Sequence, residues 1–353
     1  MNKLWFWLSI VSFPIFGSAI TLIFEWQNRS ILHGYKYHHP ILQNVITAFG
    51  AFMSYPIYLI FLRGQPTSPY KTKLKFLITA SIDPISMALQ LSGLLLVVAS
   101  IYQMIGAGAL IFVLMFSYII IQRVPNGMQV IGIIILFISI ILIGVAEVIY
   151  SDREKNKSAL IGFIMLFIST ILSGCSSVLE EHFLKTIEIH PAEALGIESA
   201  GDLIVICCII LPIFCHVKCT TGDSCPTGTL EDLSLGLKQM FTTKIGGLQT
   251  GLLFLYTSIF NIASVNLNKD LGATSRAVLD CIRMLVIWIF CLGIKWEKFI
   301  WLELVAYIGI VSGVLVFNNI FAKCSRKKID DKKENSYGAF EEIKKEEDHN
   351  KAV

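Results

Sequence analysis

The chain has 353 residues, of which 54% are hydrophobic and only 16% charged, with a mean hydropathy of +0.67. A soluble chain carries about 25% charged residues, so this composition excludes an ordinary soluble enzyme. The net charge of +3 is scattered over the ends of apolar runs and a terminal segment, which excludes a nucleic-acid patch.

A hydrocarbon core about 30 Å thick takes roughly 20 helical residues to cross. Ten apolar runs reach that length: residues 4–24, 40–62, 75–99, 102–121 and 128–150, then 158–180, 194–216, 244–266, 273–294 and 300–322. The expected fold is an all-α integral membrane protein whose partner is the lipid bilayer.

The first run resembles a secretory signal, with Lys3 ahead of it and Gly17 and Ala19 as small residues. Its length, and Glu25 and Trp26 at its end, predict a retained span instead. The connection after it holds His33, His38 and His39. Their spacing fits no metal pattern, and they read as surface histidines.

In the third run Asp83 precedes Pro84. Proline removes a backbone donor and loosens the helix. A carboxylate there reads as a substrate or proton site, or as a hydrogen-bonded packing residue. Gln103, with Gln90, Asn44, Asn261 and Asn266, lines a cavity or glues helices together. Glu180 and Glu181 end the sixth run, and Glu198 and Asp202 share one face of the seventh. These four are cavity groups or solvated interfacial charges.

The longest connection, residues 217–243, carries Cys219 and Cys225, with Cys215 just before it. The two N-x-S/T sequons, at Asn28 and Asn156, fall on the same side, away from the termini. Basic residues are slightly in excess on the termini side. Cytosolic termini and a luminal or extracellular cysteine loop are expected. A disulfide is allowed there, with Cys219 and Cys225 as candidates and Cys215 as a third thiol; three free thiols are the alternative. Leu230, Leu233, Leu237, Met240 and Phe241 recur at helical spacing after Thr229 and Asp232, a helix-start signal. They predict a helix on the membrane surface, a plain linker being the alternative.

The ninth run holds Arg276, Asp280 and Arg283, spaced to share one face. Charge in hydrocarbon costs roughly 2.5–3.5 kcal/mol on insertion scales. Such a trio is either the charged wall of a binding cavity or an ion-pair ladder between helices. Residues 324–353 are charged without apolar periodicity, as in a disordered cytosolic tail. Tyr337-x-x-Phe340 within it fits a site for a sorting adaptor.

Five runs plus five suggest duplication, and an odd number per copy places the copies in opposite orientation. An offset of about 174 residues lays run four on nine and run five on ten. The expected organisation is a ten-helix domain, 1–323, made of two inverted five-helix repeats (4–150 and 158–322), followed by the tail. Nothing in the chain matches a zinc-protease, nucleophile-elbow or phosphate-loop motif. No enzyme, metal or cofactor is expected.

The ninth run, read as Ala273, Thr274, Arg276, Val278, Leu279, Asp280, Arg283, Ile287 and Trp288, resembles a signature of the drug/metabolite transporter superfamily. Within it the chain is similar to the solute carrier 35 family, subfamily F, of the chloroquine-resistance-transporter-related, EamA-like branch. Val178-Leu179-Glu180-Glu181-x-Phe183, Pro191, Ala194, Gly196, Glu198, the Gly228–Asp232 stretch and Asp83 carry the resemblance further. It departs after Ser100-x-x-Gln103-Met104, where Gly106 replaces an arginine of the family pattern. The resemblance implies ten helices around a central cavity, alternating access, and an endolysosomal or Golgi-type membrane. Small-molecule substrates in such families are nucleotide sugars, amino acids, peptides or drugs. The expected function is secondary-active transport of a small polar solute, with proton coupling. Arg276, Asp280, Arg283, Asp83, Gln103 and Glu198 are the expected binding residues. The alternative is a non-transporting scaffold or receptor acting through the tail.

Overall fold

The computed structural model describes residues 3–62, 69–122, 124–150, 153–218, 228–271, 273–297 and 299–318. Among them the only strands form one short hairpin, and seven helices are long and apolar enough to cross a membrane.

Helix α1 (Lys3–Arg29) runs past the expected end at residue 24 because Arg29 pairs with Glu25 one turn earlier, at 2.6 Å. A hairpin of β1 (Ile31–Leu32) and β2 (Tyr35–Lys36) turns at His33 and Gly34, both at positive φ. Helix α2 (Pro40–Phe52) opens on proline, whose missing N–H costs nothing at the first helical position. It leads through α3 (Ser54–Ile57) into a π-helical turn, Tyr58–Leu62.

Helix α4 (Tyr70–Lys73) precedes α5 (Phe76–Leu94), which contains Pro84. A turn divides α6 (Ala99–Gly106) from α7 (Ala109–Ile121), and α8 (Gly127–Tyr150) follows. At 34 residues, α9 (Arg153–Thr186) outruns a bilayer, so Glu180 and Glu181 lie inside its last two turns. Helix α10 (Pro191–Val205) passes through a second π-helical turn (Ile206–Ile210) into α11 (Leu211–His216). The chain then forms α12 (Leu233–Thr242), α13 (Lys244–Leu271), α14 (Ala273–Gly293) and α15 (Trp301–Phe317).

Early and late helices interleave. α1 lies along α13, α5 along α9, and α15 along α8, while α10 packs on both α2 and α5. In lipid, helices associate by close packing rather than by hiding from water. The α8–α15 crossing does this through glycine: a Cβ on Gly132 would sit 2.7 Å from the Gly313 carbonyl oxygen and 2.7 Å from the Phe317 nitrogen. The outer surface stays apolar, with Ile131, Ile134, Ile138 and Ile141 of α8 all exposed.

The connections correct two expectations. His39 is no surface histidine: it is 4% exposed, and its Nδ1 lies 3.1 Å from Glu231 Oε1. The backbone N–H of Ile41 donates to the other Glu231 oxygen at 3.2 Å. A carboxylate that reaches back from the far connection therefore holds the start of α2. The cap of α12 is Asp232, which accepts from the Leu235 N–H at 3.0 Å, while the Thr229 hydroxyl donates to the Glu231 carbonyl instead. His33 is exposed and bonds Thr242. Asn28, in the first sequon, is buried and accepts from Gln43 Nε2 at 3.2 Å. Cys215 is a free thiol, whereas Cys219, Cys225 and the tail with Tyr337 and Phe340 lie outside the described residues.

Candidate functional site

A cavity of about 400 Å³ lies among α1, α2, α5, α6, α7, α9, α10, α13 and α14. Asp83, Gln103, Glu198, Asp280 and Arg283 all line it. Five of the six residues singled out from the sequence therefore line one cavity. The sixth, Arg276, lies on α14 with its side chain outside the described residues.

Each polar group is positioned by its own helix. On α14, Arg283 Nη2 lies 3.0 Å from Asp280 Oδ1, an i,i+3 pair that is about a quarter exposed. The guanidinium stands 5.7 Å over the Phe260 ring. Gly17 of α1 makes room for it, since a Cβ there would lie 2.7 Å from Arg283 Cδ. Helix α10 presents Glu198, which is 5% exposed, and Asp202 one turn on to the same cavity. Glu198 Oε1 and Asp202 Oδ1 have no hydrogen-bond partner among the described residues, and neither does Thr257 Oγ1 on α13. The acidic pair of the seventh run is thus a cavity feature rather than a pair of solvated interfacial charges.

Neutral donors complete the wall. Gln103 Nε2 donates to Thr21 Oγ1 at 2.7 Å, joining α6 to α1. The Tyr102 hydroxyl donates to Gln90 Oε1 at 3.2 Å, Gln90 Nε2 to Ser86 Oγ at 3.2 Å, and Ser86 Oγ to the Ser169 carbonyl at 2.9 Å. Asn44 Nδ2 donates to the carbonyl of Pro84 at 3.0 Å, beside Asp83. Gly106, where the family pattern has arginine, also lines the cavity, and an added Cβ there would meet nothing within 4 Å.

Sequence reasoning missed the small hydroxyls of α9 (Ser169, Thr170, Ser173 and Ser177) as well as Thr257. Their spacing of one helical turn was the available signal, but serine and threonine are common in membrane helices. Outside the cavity lining, Lys73 Nζ lies 2.6 Å from Glu193 Oε1, with side chains 10% and 9% exposed, and ties α4 to α10. Glu181 is paired with Lys185 instead of lining the cavity.

Residues 8–233 match a family model described as CRT-like, chloroquine-resistance transporter-like. Solute carrier family 35 member F6 from Mus musculus and from Homo sapiens are each 26% identical over 326 residues, covering 86% of this chain and 86% of theirs. An uncharacterized protein of Schizosaccharomyces pombe is 25% identical over 255 residues, covering 71% of this chain and 76% of that protein.

Proposed function

The chain belongs to the CRT-like, chloroquine-resistance transporter-like family, and from that premise we propose that it carries a small polar solute through the central cavity by alternating access. The observation that carries this reading is an internal symmetry of the cavity wall. Gly17, Ile20, Thr21 and Phe24 of α1 stand at one constant displacement from Leu166, Ser169, Thr170 and Ser173 of α9, and all eight line the cavity. The same holds for Asn44, Thr47, Ala48 and Ala51 of α2 against Leu195, Glu198, Ser199 and Asp202 of α10. Asp83, Ser86 and Met87 of α5 match Thr257, Phe260 and Asn261 of α13 in this way. Gly106, Ala109 and Leu110 match Asp280, Arg283 and Met284.

Helix packing respects the same exchange. The contact of α1 with α13 has its counterpart in α9 with α5, and that of α2 with α13 in α10 with α5. Both patterns support ten crossings arranged as two inverted repeats, 4–150 and 158–322, about a shared site near the membrane middle. Rocking one repeat against the other opens the site to each side in turn.

The charges break this symmetry. Glu198, Asp202, Asp83, Asp280 and Arg283 each have an uncharged counterpart: Thr47, Ala51, Thr257, Gly106 and Ala109. Asp280 and Arg283 neutralise one another, which leaves Glu198 and Asp202, each with one oxygen that has no hydrogen-bond partner among the described residues, as the surplus. An ammonium about 4 Å from one carboxylate gains about 4 kcal/mol at an effective dielectric of about 20, and a phosphate loses as much. The substrate is therefore an amine-bearing solute (an amino acid, peptide or basic drug-like molecule) rather than a nucleotide sugar. Glu198 and Asp202 are also the groups through which proton coupling runs. An endolysosomal or Golgi-type membrane with cytosolic termini fits this reading.

A thermal-shift screen of purified protein against amines, peptides, amino acids and nucleotide sugars, at acid and neutral pH, tests it. Amine-bearing compounds raise the melting temperature, and Glu198→Gln and Asp280→Asn abolish the rise while remaining folded. Stabilisation by nucleotide sugars alone would overturn the substrate class.

A further inference from the structure

Helix α12 joins two membrane-crossing segments, and its surface is divided into three strips. The packed strip is Gly236, Gln239 and Met240. Gln239 Nε2 donates to the carbonyls of Leu32 at 2.9 Å and Tyr35 at 3.3 Å, and Met240 packs with Leu32, Tyr37 and Leu42. A Cβ on Gly236 would collide with Leu42. These contacts, with Glu231 bound to His39 just before the helix, fix its rotation. The second strip is apolar and exposed: Leu233, Leu237 and Phe241, at 40%, 40% and 63% exposure, continue Leu230 at 44%. Ser234, Lys238 and Thr242 form a third, polar strip beyond it. At 100° per residue the apolar strip lies between the packed and the polar ones.

The apolar strip is continuous at both ends with surface that faces lipid. The Leu230 N–H donates to the Val217 carbonyl at 3.0 Å, which places Leu230 beside Val217, exposed like Ile213 one turn earlier at the end of the Pro191–His216 crossing. After Phe241, the Lys244–Leu267 crossing starts with Ile245 and Leu248, exposed at 53% and 56%. One belt of apolar side chains thus runs from one crossing, along α12, into the next. A helix with one apolar strip beside a polar, lysine-bearing one suits the boundary between acyl chains and headgroups.

We propose that α12 is a bilayer anchor whose Leu230–Leu233–Leu237–Phe241 strip contacts phospholipid acyl chains near the headgroups, with Lys238 at phosphate level. The test places photoreactive benzoylphenylalanine singly at positions 237, 241, 234 and 242 in full-length protein held in phosphatidylcholine nanodiscs. Illumination then adds the mass of one phospholipid to the intact chain. The expected result is several-fold more lipid adduct at 237 and 241 than at 234 and 242. Equal yields at all four positions, or adducts at 241 to protein only, overturn the proposal. If a benzoylphenylalanine variant does not fold, Phe241→Trp gives an equivalent readout: the chain has six native tryptophans, so the emission gained over wild type is followed, and a gain that brominated acyl chains leave unquenched overturns the anchor. Neither readout depends on transport, so failure of the anchor and failure of the transport reading remain separate.

Discussion

Glu231 is 1% exposed, and burial pushes its carboxyl above the ordinary value of 4.5, while His39 and the backbone N–H groups of Ile41 and Leu42 pull it back. Between 4.5 and the raised value the folded protein holds a proton that the unfolded chain has lost. This group's contribution is therefore favourable at low pH and declines as pH rises through that window. Melting temperatures of wild type and Glu231→Gln, compared from about pH 4 to 7, should show that decline in wild type only. A constant difference between the two proteins would refute it. A second residue-scale test concerns the Lys73–Glu193 pair. Lys73→Ala leaves a buried carboxylate alone and should cost about 3–5 kcal/mol. Lys73→Met combined with Glu193→Leu should cost much less than either single change, as read by chemical denaturation in detergent. Additive losses would mean that the pair is not coupled.

At the scale of elements, glycine separates helix crossings from cavity wall. Gly132→Ala forces α8 off the backbone of α15 and should cost about 1–3 kcal/mol, whereas Gly106→Ala projects into open cavity and should leave stability unchanged. Equal melting temperatures for the two variants would contradict the packing. The helices were legible in the sequence because runs of apolar residues set their lengths, and Asp83, Asp280 and Arg283 stood out because charge is rare inside such runs. Glu198 was found for the same reason, and Gln103 as one of the few polar side chains in such a run. The hydroxyls of α9 were not, because serine and threonine satisfy themselves on their own helix: Ser169 Oγ donates to the Leu166 carbonyl, for example. Burial of His39 was invisible because its partner, Glu231, is nearly two hundred residues away in the chain. Met240, which the sequence groups with the apolar residues of α12, packs inward with Leu32, Tyr37 and Leu42, while Leu233, Leu237 and Phe241 stay exposed.

For the whole molecule, the central claim is that the cavity is a transport site built by two exchanged halves and charged mainly by residues of one. The acids occupy positions whose counterparts are neutral, so the two proposed repeats contribute unequal charge to the cavity. In the proposed binding mode an amine sits beside Glu198 and Asp202 and its polar remainder at the Asp280–Arg283 pair, all of which line the cavity. The most direct measurement is uptake of a radiolabelled amine, chosen by thermal shift, into proteoliposomes holding wild type, Glu198→Gln or Asp280→Asn. Uptake by wild type that saturates with substrate, exceeds that of protein-free liposomes and disappears in both variants is the predicted result. Uptake undiminished in the variants, or none above protein-free liposomes for any stabilising compound, would contradict the account.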